Sequence, residues 1–264
     1  MAKQKKLYLG TNTKMYKTAA MTEVFLNELC AYTDGLSRET LELFVIPSFT
    51  TLERASKAIK DHLIRLGAQN MGWEDEGPFS GEISPLMLKE VGAELVMIGH
   101  SERRHVLGET DEMENKKVLC ALRCGLIPLL CVGETAEEKS YGLSDEVLRT
   151  QLKLGLHGVT QEQAARLWIA YEPVWAIGVN GVPAPKEYAE EKHGVIRQTL
   201  REVFGPETGD RIPLLYGGSV NPDNAPELIQ MENIDGLFIG RSAWQADRFS
   251  RIIHTVLPLW QAKR

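Results

Sequence analysis

Eight short apolar segments recur along the chain, and a longer amphipathic stretch follows each of them. Apolar runs bounded by turn residues predict strands, whereas apolar side chains at helical spacing predict helices. The predicted strands are residues 7–11, 41–46, 63–69, 95–99, 127–132, 168–172, 212–216 and 236–240. Several of these runs are continuously apolar, which is typical of parallel strands that helices cover on the outside.

The stretches between the predicted strands carry apolar residues at helical spacing. Met21, Phe25 and Leu29 fall on one helical face, and residues 137–156 and 187–204 follow the same pattern. Eight strand-then-helix units with right-handed crossovers close most simply into a (β/α)₈ barrel, the TIM barrel architecture. The sequence therefore predicts an α/β protein of this architecture, with an open, doubly wound sheet as the alternative.

One domain over residues 1–264 fits both the length and the composition. Barrels of this kind commonly run to about 250 residues, and no Ser/Gly-rich linker or shift in composition divides the 264 residues. Hydrophobic residues make up 43% of the chain, which is enough apolar material for one core.

The net charge of −6 and the pI of about 5.6 disfavour nucleic acid and anionic membranes as partners. A phosphate group would instead be held locally in a small pocket. No apolar run is long enough to cross a membrane, and the run at residues 7–9 is too short for the core of a signal peptide. The expected location is the cytoplasm.

The four cysteines are few for this length and form no disulfide framework. Cys120 and Cys124 lie four residues apart in a predicted helix, a spacing that provides half of a metal site. No second pair of Cys or His residues at ligand spacing accompanies them. Core packing is therefore the favoured interpretation, and no metal ligand is predicted.

Ionisable residues end three of the predicted strands, and in a barrel the carboxyl ends of the strands form the active-site face. Strand one ends near Asn12 and Lys14, strand four at His100, and strand six at Glu172. Together they supply a base, a neutral hydrogen-bond donor and a cation, which suffice to abstract a proton beside a carbonyl group. Lys14 and His100 can stabilise the enediolate oxygen that this step creates.

Each of these residues also has a structural interpretation when it is taken alone. Lys14 can be a solvated loop lysine, His100 a structural histidine, and Glu172 an acid that caps a helix. Their joint position at three strand ends favours a shared site.

Glycine-rich turns follow the last three predicted strands and predict a phosphate cradle. They are Ala176-Ile177-Gly178, Tyr216-Gly217-Gly218-Ser219 and Ile239-Gly240-Arg241-Ser242. Glycine lets backbone N–H groups approach an oxyanion closely, and barrel enzymes often bind phosphate after strands seven and eight. The alternative is that these glycines only permit tight turns.

Several segments between Asn12 and Ser242 resemble the triosephosphate isomerase family. They are Gly67-Ala68-Gln69-Asn70, Ser80-Gly81-Glu82-Ile83-Ser84-Pro85, Gly99-His100-Ser101-Glu102-Arg103-Arg104, Cys131-Val132-Gly133-Glu134, Ala170-Tyr171-Glu172-Pro173-Val174-Trp175-Ala176-Ile177-Gly178 and Tyr216-Gly217-Gly218-Ser219-Val220. The resemblance implies that Glu172 is the proton-shuttling base and His100 the neutral electrophile. It further implies that Lys14 and Asn12 polarise substrate oxygens and that Glu102 is buried behind this group and supports it.

The same resemblance implies how the substrate is enclosed and how the chain assembles. Residues 173–185 would form a mobile lid, and residues 71–82 an arm that inserts beside a neighbouring subunit's site, which implies a homodimer. No metal or organic cofactor is implied. The implied phosphate-contacting residues are Gly178, Ser219, Gly240 and Arg241.

Three segments depart from the family pattern. The first loop reads Asn12-Thr13-Lys14-Met15-Tyr16 where the family typically has Asn-Trp-Lys-Met-Asn, the far end of the lid reads Gly181-Val182-Pro183, and Arg241 replaces the second glycine of a pair. The acid–base residues are unchanged, so a changed substrate explains the pattern better than lost activity.

The departures favour a branch of the family that interconverts L-erythrulose 1-phosphate and D-erythrulose 4-phosphate. Thr13 and Arg241 would make room and supply a donor for the extra hydroxymethyl group. The first alternative is the interconversion of dihydroxyacetone phosphate and D-glyceraldehyde 3-phosphate. The second is a catalytically silent barrel that only binds sugar phosphates.

Overall fold

Eight parallel strands close into a barrel in the computed structural model, which describes residues 6–178 and 181–263. The strands are β1 (Leu7–Asn12), β2 (Leu41–Ile46), β3 (Ile64–Ala68), β4 (Leu95–Ile98), β5 (Ile127–Val132), β6 (Trp168–Tyr171), β7 (Leu214–Tyr216) and β8 (Gly236–Ile239). Each strand pairs with the next in the chain, and β8 closes onto β1. The predicted barrel is confirmed, and the open sheet is excluded.

The α-helices cover the barrel from outside. They are α1 (Ala19–Thr33), α2 (Leu52–Ala58), α3 (Pro85–Glu90), α4 (Ser101–His105), α5 (Asp111–Arg123), α6 (Ala136–Ser140), α7 (Ser144–Gly155), α8 (Gln161–Ala164), α9 (Lys186–Phe204), α10 (Pro206–Arg211), α11 (Ala225–Leu228) and α12 (Ala246–Lys263). The single helix expected over residues 137–156 is two helices, because Gly142 between them has a φ of 73°. Among the described residues, no helix is both long and apolar enough to span a membrane.

Two apolar layers lie on opposite sides of the sheet. Phe44, Trp168 and Phe238 fill the barrel interior, where the rings of Phe44 and Phe238 stack with centroids 5.7 Å apart. A larger layer lies between the sheet and the helices and includes Phe25 and Leu29 of α1. Met21, expected on the same helical face, is in the first turn of α1 and is half-exposed.

Several strands end one residue earlier than predicted, and this matters for the site. Gly99, Glu172 and Gly240 follow β4, β6 and β8 directly and lie in the loops at the carboxyl edge of the barrel. At the other edge, β7 begins after Pro213, because proline has no N–H group to donate to the ladder. The barrel thus presents its loop residues around one opening.

Candidate active site

One cavity of about 300 Å³ lies at the carboxyl ends of the strands. Its lining includes all eight residues expected to act on or contact the substrate, namely Asn12, Lys14, His100, Glu172, Gly178, Ser219, Gly240 and Arg241. These residues come from β1 and from the loops after β1, β4, β6, β7 and β8, so the closure of the barrel brings them together.

The position of Lys14 is fixed through its backbone. Among the described non-glycine residues it alone has a positive φ, of 50°, a conformation that costs about 1–3 kcal/mol and needs support from its surroundings. Asn12 Oδ1 accepts the Lys14 N–H at 2.8 Å, and Gln69 Nε2 donates to the Lys14 carbonyl at 2.8 Å. The ammonium group is thereby aimed at the cavity.

His100 caps the N-terminus of α4, and this contact selects its tautomer. Its Nδ1 atom accepts the backbone N–H of Glu102 at 3.2 Å, which requires a lone pair on that nitrogen. The tautomer that fits carries its proton on Nε2. That atom is 3.7 Å from Glu172 Oε1. The His100 N–H group therefore faces the carboxylate of Glu172.

Glu172 is a buried carboxyl group that is free to take up a proton. Its Oε2 atom has no hydrogen-bond partner among the described residues. Burial raises the pKa of Glu172 above its usual range, and the positive charge of Lys14 partly opposes this. A carboxylate with a raised pKa is a stronger base than one in water.

Two glycines allow Glu172 to occupy this position. A Cβ atom on Gly133 would lie 2.0 Å from the carbonyl oxygen of Glu172, and one on Gly217 would lie 2.7 Å from its Cγ atom. Any side chain at either position would displace the carboxyl group. The glycines after β5 and β7 thus leave room for Glu172, in addition to forming the turns that contain them.

Glu102 is more exposed than the sequence analysis predicts. It was expected to be buried, but its side chain is 52% exposed. The expected contact with the site is nevertheless present, because Lys14 Nζ lies 2.6 Å from Glu102 Oε1. Glu102 follows His100 at the start of α4, at the open rim of the barrel, where water reaches its carboxylate.

The glycine-rich loops close the other side of the cavity. Gly178 has a φ of 91°, and a Cβ atom on Gly240 would meet no other atom within 4 Å. Gly218 is constrained differently, since a Cβ atom there would lie 2.3 Å from Tyr216 Oη. The backbone of Gly240 therefore borders open space that a ligand can fill, whereas Gly218 is required for packing.

Comparison with known proteins identifies the family to which this barrel belongs. Residues 7–256 match the family described as Triosephosphate isomerase. The chain belongs to the triosephosphate isomerase family. Membership makes the protein an isomerase and agrees with the barrel that the strands form.

Relatives within the triosephosphate isomerase family carry two different names. The chain is 47% identical over 251 residues to an L-erythrulose-1-phosphate isomerase of Rhizobium etli, covering 95% of this chain and 92% of that protein. It is 46% identical over 245 residues to a triosephosphate isomerase of Dictyoglomus thermophilum, covering 93% and 97%. Among solved structures, a triosephosphate isomerase of Bartonella henselae matches with a TM-score of 0.85 and 37% identity, covering 95% and 98%.

The departures from the triosephosphate isomerase pattern fall at different depths. Arg241 lines the cavity, and its side chain has no ion pair with any described residue. Thr13 is buried, is absent from the cavity lining, and its hydroxyl has no hydrogen-bond partner among the described residues. Thr13 does not itself line the cavity, so the expectation that its small side chain makes room for a larger substrate stays a prediction.

Trp244 is a cavity residue that sequence analysis missed. Its ring packs on Tyr16 with centroids 4.5 Å apart, and its Nε1 atom donates to the Asn12 carbonyl at 2.8 Å. The unusual Tyr16 thus shapes the cavity through Trp244. A large aromatic residue three positions after Arg241 was the available signal, but only the fold brings it beside the first loop.

The segment expected to form a lid, residues 173–185, borders the cavity at Gly181 and Pro183; Val179 and Asn180 lie outside the described residues. Its near end is held by buried Glu134, whose Oε1 atom accepts from Trp175 Nε1 at 2.8 Å. The Tyr188 hydroxyl, in the helix that follows, donates to the same oxygen at 2.9 Å. Both ends of the segment therefore share one anchor.

Proposed function

We propose that this isomerase interconverts L-erythrulose 1-phosphate and D-erythrulose 4-phosphate without a cofactor. The observation that carries the proposal is that Arg241 lines the same cavity as the complete set of Lys14, His100 and Glu172. A guanidinium that forms no ion pair within the described part of the chain is thus added to a site whose acid–base groups are all present. The similarity to relatives named for this reaction supports the same choice.

The residues around the cavity can carry each step of this reaction. The phosphate lies among the backbone N–H groups of Gly178, Ser219, Gly240 and Arg241, at the glycine-rich side of the cavity, which leaves the Arg241 side chain free to reach the rest of the substrate. Glu172 takes the proton from the third carbon, and the electron pair forms an enediolate with the second carbon. Lys14 Nζ and His100 Nε2–H stabilise the two oxygens of this intermediate. The proton then returns to the second carbon, which leaves the carbonyl group on the third.

The four-carbon substrate differs from dihydroxyacetone phosphate at one end only. Counted from the phosphate, the proton moves between the same two positions in both compounds, so the same base and donors serve. The tetrulose carries one more hydroxymethyl group beyond the reacting carbon. Arg241 has a long side chain with five donors and is exposed at the cavity mouth. We expect it to bind the additional hydroxyl.

Replacing Arg241 with glycine tests this contact. A hydrogen bond from a charged donor is worth roughly 1.5–3 kcal/mol, so the variant should lose about one to two powers of ten in its preference for the tetrulose phosphate. The measurement is the ratio of kcat/KM for L-erythrulose 1-phosphate and dihydroxyacetone phosphate. Arg241→Lys, which keeps the charge but not the planar fork, is the matched control. An equal loss on both substrates would show that Arg241 contacts only the phosphate.

The phosphate position has its own test at Gly240. A methyl group there meets no protein atom within 4 Å and would project into the anion's space. Because the Gly240 ψ of −122° lies outside the range usual for residues with a Cβ atom, circular dichroism first checks that Gly240→Ala is folded. We expect inorganic phosphate to inhibit the variant about tenfold more weakly, the loss of roughly one charged hydrogen bond. Gly35→Ala, whose methyl group also meets no atom, is the control. Unchanged inhibition in Gly240→Ala would place the phosphate elsewhere.

Two other functions remain to be tested against this proposal. The relative named triosephosphate isomerase favours dihydroxyacetone phosphate as the alternative substrate. A silent sugar-phosphate-binding barrel would bind either compound and turn over neither. In heavy water, the proposed enzyme should place deuterium on the carbinol carbon of D-erythrulose 4-phosphate. If both sugar phosphates bind but neither acquires deuterium or is converted to product, the protein is the silent barrel.

We further propose that the protein is a cytoplasmic homodimer. The first loop and the region around the arm, residues 71–82, expose apolar side chains that a partner subunit would cover. They are Met15 (90% exposed), Phe79 (41%), Leu86 (51%) and Met87 (58%). The four free cysteines fit a reducing compartment. Light scattering should give twice the mass of 29.5 kDa, and a monomer mass would refute the assembly.

A further inference from the structure

Two thiols and a carboxylate meet outside the active-site cavity. Cys120 and Cys124 lie at the C-terminal end of α5, and Asp75 lies in the arm. Asp75 Oδ1 is 3.8 Å from Cys120 Sγ and 3.4 Å from Cys124 Sγ. The three ligand atoms all lie within 4.8 Å of one another. The sequence showed only the Cys pair, because Asp75 is 45 residues away from Cys120 in the chain.

The two sulfur–oxygen distances match those between ligands around a tetrahedral metal ion. Zinc–sulfur bonds of about 2.3 Å and zinc–oxygen bonds of about 2.0 Å at a tetrahedral angle place sulfur and oxygen about 3.5 Å apart. The observed distances, 3.8 and 3.4 Å, bracket that value. The two thiols therefore already lie at ligand distance from the carboxylate.

Arg123 contacts both Asp75 and Cys120, and a metal ion must compete with these contacts. Its Nη2 atom lies 2.7 Å from Asp75 Oδ1 and 3.3 Å from Cys120 Sγ. The Arg123 side chain is 55% exposed, so it can move away from Cys120. It can still donate a hydrogen bond to the Asp75 carboxylate when that group binds the ion. Two thiol ligands select thiophilic ions over magnesium or calcium.

We propose that Asp75, Cys120 and Cys124 bind a thiophilic divalent cation such as Zn²⁺, with water as the fourth ligand. The bound ion joins the arm to α5, because one ligand comes from the former and two from the latter. This site is independent of the catalytic cavity, since none of the three residues lines it. Its occupancy stabilises the segment that we propose a partner subunit contacts.

Titration with Cd²⁺ tests the site directly, because cadmium thiolates absorb in the ultraviolet and protein without bound metal does not show that band. Thiols bind metal ions as thiolates, so the ion displaces thiol protons and the titration is done at about pH 8. A phosphine reductant keeps both thiols reduced. We expect one Cd²⁺ per chain, and Zn²⁺ should compete for it.

Variants assign the ligands. Asp75→Asn should weaken binding at least tenfold, whereas Glu74→Gln, which removes the charge of an exposed neighbour, should leave it unchanged. The Cys120→Ser and Cys124→Ser double variant should lose the band. The absence of a band in the wild type, or its retention in the double variant, would overturn the proposal. The Asp75 side chain is 46% exposed, so Asp75→Asn should fold even if the double cysteine variant does not. It therefore tests the site independently.

Amide hydrogen exchange tests whether the bound ion joins the arm to α5. Saturating Zn²⁺ should slow amide exchange in residues 71–82 at least tenfold in the wild type and leave it unchanged in Asp75→Asn. Equal exchange rates with and without Zn²⁺ in the wild type would refute the connection between the arm and α5.

Discussion

Replacing Glu172 with glutamine is expected to lower kcat by about 10²- to 10⁴-fold, the range for loss of a general base. Glutamine has nearly the same shape, so the buried position should still be filled, but its amide cannot take up a proton. Inhibition by inorganic phosphate should be nearly unchanged, because the expected phosphate contacts come from other loops. Steady-state kinetics with both sugar phosphates measure the change.

Two outcomes would contradict this role for Glu172. Loss of the folded near-ultraviolet circular dichroism spectrum would show that the residue is needed for packing. Turnover close to that of the wild type would show that another group is the base. Glu102→Gln is a useful comparison, because Glu102 contacts Lys14 at 2.6 Å but lies at the exposed rim. It should lower kcat much less than the Glu172 variant.

Replacing Glu114 with glutamine is expected to raise the free energy of unfolding by about 3 kcal/mol at pH 8. Glu114 lies in α5 with its side chain completely buried, and its carboxylate oxygens accept no hydrogen bond from any described residue. Burial raises its pKa to about 7; the charge of Glu109 adds to this effect, whereas Arg104 opposes it. Protonated Glu114 can donate to Glu109, whose carboxylate Arg103 binds.

The direction of the pH dependence follows from the raised pKa. The protonated form stabilises the fold, so this contribution is complete below about pH 4.5 and is lost as the pH rises to about 7. A shift from 4.5 to about 7 corresponds to roughly 3 kcal/mol. Glutamine stays neutral and avoids the loss. Wild type and variant should therefore be similar at pH 4 and differ most above pH 7.

Urea unfolding at pH 4, 6 and 8 measures this difference. Glu112→Gln is the matched control in the same helix, since that side chain is exposed and should give no gain in stability at high pH. If Glu114→Gln loses stability with rising pH as steeply as the wild type does, Glu114 is not the group responsible. Another buried acid would then have to be sought.

The elements that sequence analysis predicted well are those set by local patterns. Each of the eight strands was placed within about two residues, because continuous apolar runs and turn residues mark strands directly. Lys14, His100 and Glu172 were predicted to share a site because a barrel collects the carboxyl ends of its strands. The cavity confirms that these positions lie together.

The contacts that sequence analysis missed all join distant parts of the chain. Trp244 reaches Asn12 across 232 residues, and Gln69 holds the Lys14 carbonyl across 55. Exposure also escaped prediction, since a local pattern does not show that Glu102 lies at the rim. The outward or inward direction of one side chain, as at Thr13, depends on packing around it. These features follow from the closed barrel and not from local spacing.

The substrate proposal is tested most directly by kcat/KM of the wild-type enzyme for L-erythrulose 1-phosphate and dihydroxyacetone phosphate, measured side by side at equal ionic strength. The additional contact from Arg241 predicts a preference for the tetrulose phosphate of at least about tenfold, the value of one charged hydrogen bond. A clear preference for dihydroxyacetone phosphate would contradict the proposal. The protein would then be a triosephosphate isomerase in its substrate as well as in its family.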